Sequence, residues 1–218
     1  NLLHARLDLP HETDPGDIEH FLTFSHCFTC SKETITTFRL SRMLAEQGYG
    51  VLRFDFTGLG DSEGVFSSST FSTARDDLAC AIAYLAEHYR PPSFLMGHSM
   101  GGTTALSLAH DYDHVRGVVT VASPSEPDHV LHHMGDVLHQ LELGHAASFE
   151  VAGTMFDIEP TFIEDVRGFN MQAVLSQLDV PVLAINIEND ALVDAENSTE
   201  IKQWSGSKVD IVHVTGSD

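Results

Sequence analysis

Basic side chains are scarce in this sequence: 11 lysines and arginines stand against 32 aspartates and glutamates, for a net charge of −21. The eleven are scattered and form no basic patch, so a polyphosphate backbone or an anionic bilayer would be repelled. Neither nucleic acid nor membrane is expected as a partner. Long apolar runs are also missing. No stretch of eighteen apolar residues occurs, and the opening NLLHARLDLP lacks the basic region, apolar core and small-residue cleavage site of a secretory leader. Cysteine is rare as well. Cys27, Cys30 and Cys80 are too few and too unevenly spaced for a disulfide framework, which agrees with a reducing compartment. The expectation is a soluble, cytoplasmic protein without repeats or low-complexity segments.

What is present is a 42% hydrophobic chain of 218 residues, enough for one large domain. Short apolar runs rich in branched residues alternate with longer stretches of helical spacing, the pattern of a parallel sheet with crossover helices. The runs at 21–27, 50–56, 93–97, 116–122, 180–187 and 208–214 read as strands, and 34–47, 74–89, 101–110 and 193–204 as helices. Residues 125–178 separate two strands by far more than a crossover needs, so extra structure is expected there. Within it, 127–143 reads as a helix, SFEVAGTMFDI as a hairpin turning at Ala152-Gly153, and 170–178 as a returning helix.

Residues 97–102 read GHSMGG, directly behind the apolar run Phe94-Leu95-Met96. A serine on a tight strand-to-helix turn needs a strained backbone, and glycines beside it remove the Cβ atoms that would clash. Its hydroxyl is then presented at the sheet edge. The helix opening at Met100 aims free N–H groups at the same spot, where they can stabilise charge on a substrate oxygen. Ser99 is therefore the candidate nucleophile.

With SHCFTCSK at 25–32, LRFDFTGLGDSEG at 52–64 and ENDALV at 188–193, this motif makes the whole chain resemble the α/β-hydrolase superfamily. Within it, the chain looks like the hydrolase part of bacterial fusion proteins in which an α/β hydrolase precedes an OsmC-like peroxide-reducing domain. The resemblance implies a mostly parallel sheet flanked by helices. Residues 1–124 and 179–218 form its core and 125–178 a small cap of helix plus hairpin. It also implies a partner domain of OsmC type beyond the C-terminus. In hydrolases of this kind one oxyanion donor follows the nucleophile, here Met100. The other lies in the loop after an earlier strand, here Phe28, with Cys27 where many relatives carry glycine. Asp190, just past a strand end, matches the acid position and could reach a histidine along the carboxyl edge. Glu188, still in the strand, and Asp194, already in the next helix, are weaker candidates.

The chain order Ser, Asp, His requires a histidine after Asp190, and His213 alone is available. It sits inside KVDIVHV and reads as a core or packing histidine. After it comes Thr215-Gly216-Ser217-Asp218, where relatives have a turn followed by the catalytic histidine. The chain is therefore expected to stop one residue short of its base, to be impaired as it stands, and to be clipped at its start as well. His129, His133 and Asp136 share a helical face at i, i+4 and i+7, but no fourth ligand accompanies them and a serine mechanism needs no metal. Cys27-x-x-Cys30 has no second pair to suggest zinc or a thioredoxin-like role. The glycines of FTGLGDSEG lack the following Lys-Ser/Thr of a phosphate loop and read as a tight active-site loop.

These residues amount to a serine carboxylic-ester hydrolase without cofactor or metal, working through an acyl-enzyme. Its substrate is a small molecule with a small to medium acyl chain, facing a cap surface of Met134, Leu138, Phe149, Met155 and Phe156. A thioesterase or peptidase would keep the same residues. A non-catalytic binding domain is the reading if no histidine follows.

Overall fold

The computed structural model describes residues 1–215. Its sheet has seven strands: β1 (Ala5–Asp8), β2 (Phe21–Ser25), β3 (Gly50–Phe54), β4 (Phe94–His98), β5 (Gly117–Val121), β8 (Val182–Ile187) and β9 (Val209–Val214), in the order β1-β3-β2-β4-β5-β8-β9. β1 runs antiparallel to β3 and the other pairs are parallel. The helices are α1 (Ile35–Glu46), α2 (Phe71–His88), α3 (Met100–Leu108), α4 (Asp136–Glu142), α5 (Thr161–Gly168), α6 (Met171–Ser176) and α7 (Glu196–Trp204). Apolar residues of both sheet faces are buried. Phe21, Leu52, Phe54, Leu95 and Val118 pack with Leu78, Ile82 and Leu85 of α2 and Leu106 of α3. On the opposite face Leu22, Phe24, Val51 and Met96 pack with Leu40 and Leu44 of α1.

The strand order creates a switch point. From β2 the chain leaves through α1 toward β3, whereas from β4 it leaves through α3 toward β5 on the other side. The loops after β2 and β4 therefore diverge above adjacent strands and leave a crevice at the carboxyl edge, the position where open α/β sheets bind ligands.

Residues 127–178 carry a 3₁₀ helix (Pro127–His133), α4, a hairpin of β6 (Ala147–Val151) and β7 (Thr154–Ile158), then α5 and α6. The hairpin turns at Ala152 (φ 50°) and Gly153 (φ 81°), two positive φ values in succession as a twist-matched two-residue turn requires. The single helix expected over 127–143 is broken at Gly135, whose φ of 49° no right-handed helix accommodates. The i, i+4, i+7 face of His129, His133 and Asp136 consequently does not form. Rings of His129 and His133 still touch at 5.4 Å, and His133 Nε2 donates to Leu192 O at 3.0 Å. Of the five residues assigned to the cap surface, Met134 is buried in the insertion's own core, with Leu138 and Phe149 packed on it. Phe156 joins the main core, and Met155, on the outer side of β7, faces solvent at 60% exposure.

Two buried charge clusters hold the loop after β2. Lys32, only 2% exposed, donates from Nζ to Asp55 at 2.6 Å and to Asp61 at 2.8 Å, and its backbone N–H donates to Asp55 at 2.6 Å. Burial disfavours the Lys32 charge, but these carboxylates more than offset it and raise its pKa. Arg53, fully buried, donates to Asp8 at 2.7 Å and to Lys32 O at 2.8 Å and lies over the Phe38 ring at 5.3 Å. Asp55→Ala should leave the buried Lys32 ammonium with the exposed Asp61 as its remaining carboxylate and should cost about 3 kcal/mol in urea unfolding. Asp55→Leu/Lys32→Met should recover most of that loss. A double variant as weak as Asp55→Ala would mean that the ion pair is not the cause.

Candidate active site

Ser99 stands between β4 and α3 at φ 53°, ψ −128°, a region L-residues seldom occupy and one that costs about 1–3 kcal/mol. Its neighbours explain why the turn closes. A Cβ on Gly97 would overlap the backbone of Gly101 and Gly102, one on Gly101 would overlap the carbonyls of Ser25 and His26, and one on Gly102 would strike Ser123. Ser99 N–H donates to Val121 O at 2.8 Å, and its carbonyl accepts from Gly102 at 2.8 Å and Thr103 at 3.3 Å. In the first turn of α3, the N–H groups of Met100 and Gly101 are left without an acceptor among the described residues.

The loop after β2 lies against this elbow. Cys27–Cys30 form a turn closed by Cys30 N–H to Cys27 O at 3.1 Å and by a disulfide between the two cysteines. The sequence reading of reduced cysteines is thus corrected at this pair: the turn brings their Cα atoms to 5.3 Å, within bridging range, and Cys80 remains free and exposed. Phe28 and Met100 line one small apolar cavity with Phe56, Leu59, Phe66, Phe71 and Phe162. Phe28 stacks on Phe149 at 6.0 Å and meets Phe162 at 5.4 Å, so residues of the insertion close over the loop.

His26 underlies the loop. Its Nδ1–H donates to Cys27 O at 2.8 Å and its Nε2 accepts from Phe56 N–H at 3.2 Å, which fixes a neutral imidazole with both nitrogens engaged. Burial lowers its pKa to about 4, against a smaller rise from the Cys27 carbonyl. His26 therefore positions the loop and has no nitrogen left to serve as a base.

Asp190 follows β8 in a turn where Asn189 has φ 62°. Its Oδ1 accepts from Leu192 N–H at 2.8 Å and Val193 N–H at 3.0 Å, which orients the half-buried carboxylate. Asp194 is occupied otherwise: its Oδ1 accepts from Glu196 N–H at 2.9 Å at the start of α7. Glu188 still donates its N–H to Val214 O at 2.9 Å, extending the strand ladder. Ser99 and Asp190 lie at the same carboxyl edge, joined through β5, where Ala122 N–H donates to Ile185 O at 2.8 Å.

A family model described as serine aminopeptidase, S33, matches residues 32–152, more than half the chain. The chain belongs to this family of α/β hydrolases. An esterase domain of a Rhodothermus marinus protein is 32% identical, with 96% of this chain and 81% of that one covered and a TM-score of 0.70. Est1E from Butyrivibrio proteoclasticus with bound ferulic acid shares the fold at 18% identity, 99% and 86% coverage and TM-score 0.79. A Paleococcus ferrophilus monoacylglycerol lipase does so at 21% identity, 99% and 90% coverage and TM-score 0.73. No curated protein matches the chain.

In this hydrolase His213 is a strand residue but not a core one. It is exposed on β9, opposite Asn186, and among the described residues β9 pairs with β8 alone, at the edge of the sheet. The turn expected at 215–218 lies, after Thr215, outside the described residues. Among the described residues the metal-type cluster that converges is His4, Asp55 and Asp61, and Lys32 Nζ already sits on both its carboxylates. No described helix is long and apolar enough to cross a membrane.

Because the unfolded chain protonates His26 near pH 6.5 and the folded hydrolase only near 4, stability should fall as pH drops through that interval. The His26 contribution amounts to about 3 kcal/mol by pH 4. Urea titrations from pH 7 to 4 should give a flatter slope for His26→Gln than for the parent. Equal slopes would show that His26 is not held neutral.

Proposed function

We propose that the chain is a serine carboxylic-ester hydrolase acting on small to medium acyl esters, with residues 125–178 as its cap. Ser99 Oγ attacks the acyl carbon, and the N–H groups of Phe28 and Met100 receive the oxyanion. A histidine takes the serine proton and returns it to the leaving alcohol, Asp190 orients that imidazole, and water then releases the acyl group from Ser99. The observation that carries this reading is the positive-φ serine beside unspent N–H groups of α3, whose first residue, Met100, lines an apolar cavity together with Phe28. The 32% identical esterase domain supports the choice of ester chemistry. The base is read as a histidine following β9, since His26 is committed and His213 points to solvent from a strand.

Turnover of p-nitrophenyl acetate by the chain extended past Asp218 tests the assignment. Ser99→Ala should abolish it without unfolding the protein. Asp190→Asn should lower kcat by roughly 10⁴-fold, the scale set by loss of a triad carboxylate. Asp194→Asn and His213→Ala should stay within a few-fold of the parent. Reversal of the Asp190 and Asp194 results would move the acid to Asp194, and loss of activity in His213→Ala would make His213 the base.

A further inference from the structure

The loop proposed to bind the oxyanion contains a feature that the chemistry above does not use. Thr29, a β-branched residue, has φ 61° at the third position of the Cys27–Cys30 turn, where positive φ calls for glycine or asparagine. Its hydroxyl donates to Phe28 O at 2.6 Å. Nothing in the intrinsic preference of Phe28-Thr29 selects this turn, so the surroundings must impose it. Either side of it is anchored: Gly101 of the elbow packs on the carbonyls of Ser25 and His26, and Arg53 and Asp55 hold Lys32. Between these anchors the covalent restraint is the Cys27–Cys30 disulfide. A bridge spanning so few residues constrains the unfolded chain least, so its main effect is on local geometry. All four turn residues are partly exposed, which leaves the bridge open to attack.

We infer that the Cys27–Cys30 disulfide positions the Phe28 N–H for the oxyanion and is a redox switch on turnover. This inference rests on the ester-hydrolase reading. In the oxidised form the turn is locked, and Phe28 stays stacked on Phe149 and in contact with Phe162, lining one cavity with Met100 of the elbow. The reductant is a dithiol. One of its thiolates attacks a bridge sulfur, breaking the S–S bond and forming a mixed disulfide, and its second thiolate displaces the protein sulfur. Cys27 and Cys30 each end as a thiol, and the dithiol leaves as a disulfide with the two electrons' worth of oxidation. Without the bridge the turn can open as the strained Thr29 relaxes to negative φ, so that the Cys27–Phe28 peptide, which carries the donor N–H, is no longer held at the position it must keep.

The test uses the chain extended past Asp218, assayed with p-nitrophenyl acetate before and after dithiothreitol, with thiols counted by Ellman's reagent under denaturing conditions. One thiol, Cys80, should titrate before reduction and three after it. On reduction kcat should fall roughly tenfold to a hundredfold, KM should change less than about twofold, and reoxidation should restore the rate. Cys27→Ser/Cys30→Ser should sit at the reduced rate with or without dithiothreitol, whereas Cys80→Ser should switch like the parent. An unchanged kcat with three thiols exposed, or three thiols before any reductant, would overturn the inference. A matched rise in KM would reduce the bridge to a support of substrate binding and overturn it too. Absence of ester turnover in both redox states would instead remove the hydrolase reading on which it rests.

Discussion

A backbone conformation that the chain tolerates at Ser99 and that three glycines make room for is the constraint on which the rest of the site depends. Gly97 and Gly102 let β4 and α3 meet almost without side chains between them, and Gly101 lets α3 press on the carbonyls that end β2. The strain of about 1–3 kcal/mol at Ser99 is therefore held by packing on both adjoining elements. The same contact sets the distance between the elbow and the loop carrying Phe28. One steric requirement thus fixes the proposed nucleophile and the proposed oxyanion donors together.

The loop's other anchor is electrostatic. In a protein with so few basic residues, Lys32 and Arg53 are buried at the base of this loop, each satisfied by a carboxylate and each tied to the loop through the Lys32 backbone. Buried ion pairs of this kind contribute little net stability compared with apolar packing, but they are costly to break singly. Their effect is to allow one register between β3 and the segment leading into α1. His26, neutral through burial and bonded at both nitrogens, does the same from beneath.

Much of this was legible in the sequence. The six long strands emerged because buried parallel strands read as continuous branched runs, and the elbow because glycine spacing reports a steric need directly. α5 was not assigned, because it hides behind the hairpin signal. The break at Gly135 was missed because a lone glycine in a helical pattern does not reveal its φ. The disulfide was misjudged for a different reason. Cysteine counting addresses frameworks that staple small domains, whereas this bridge closes one turn. His213 was read as packed because a strand pattern does not tell an edge from a centre.

The central claim is that Ser99 is an activated nucleophile, and covalent capture tests it most directly. The chain extended past Asp218 should react with a fluorophosphonate at one site, and peptide mass mapping should find the adduct on the segment containing Ser99, with none formed in denatured protein. An adduct on another serine, or ester turnover that survives without any adduct at Ser99, would contradict the account.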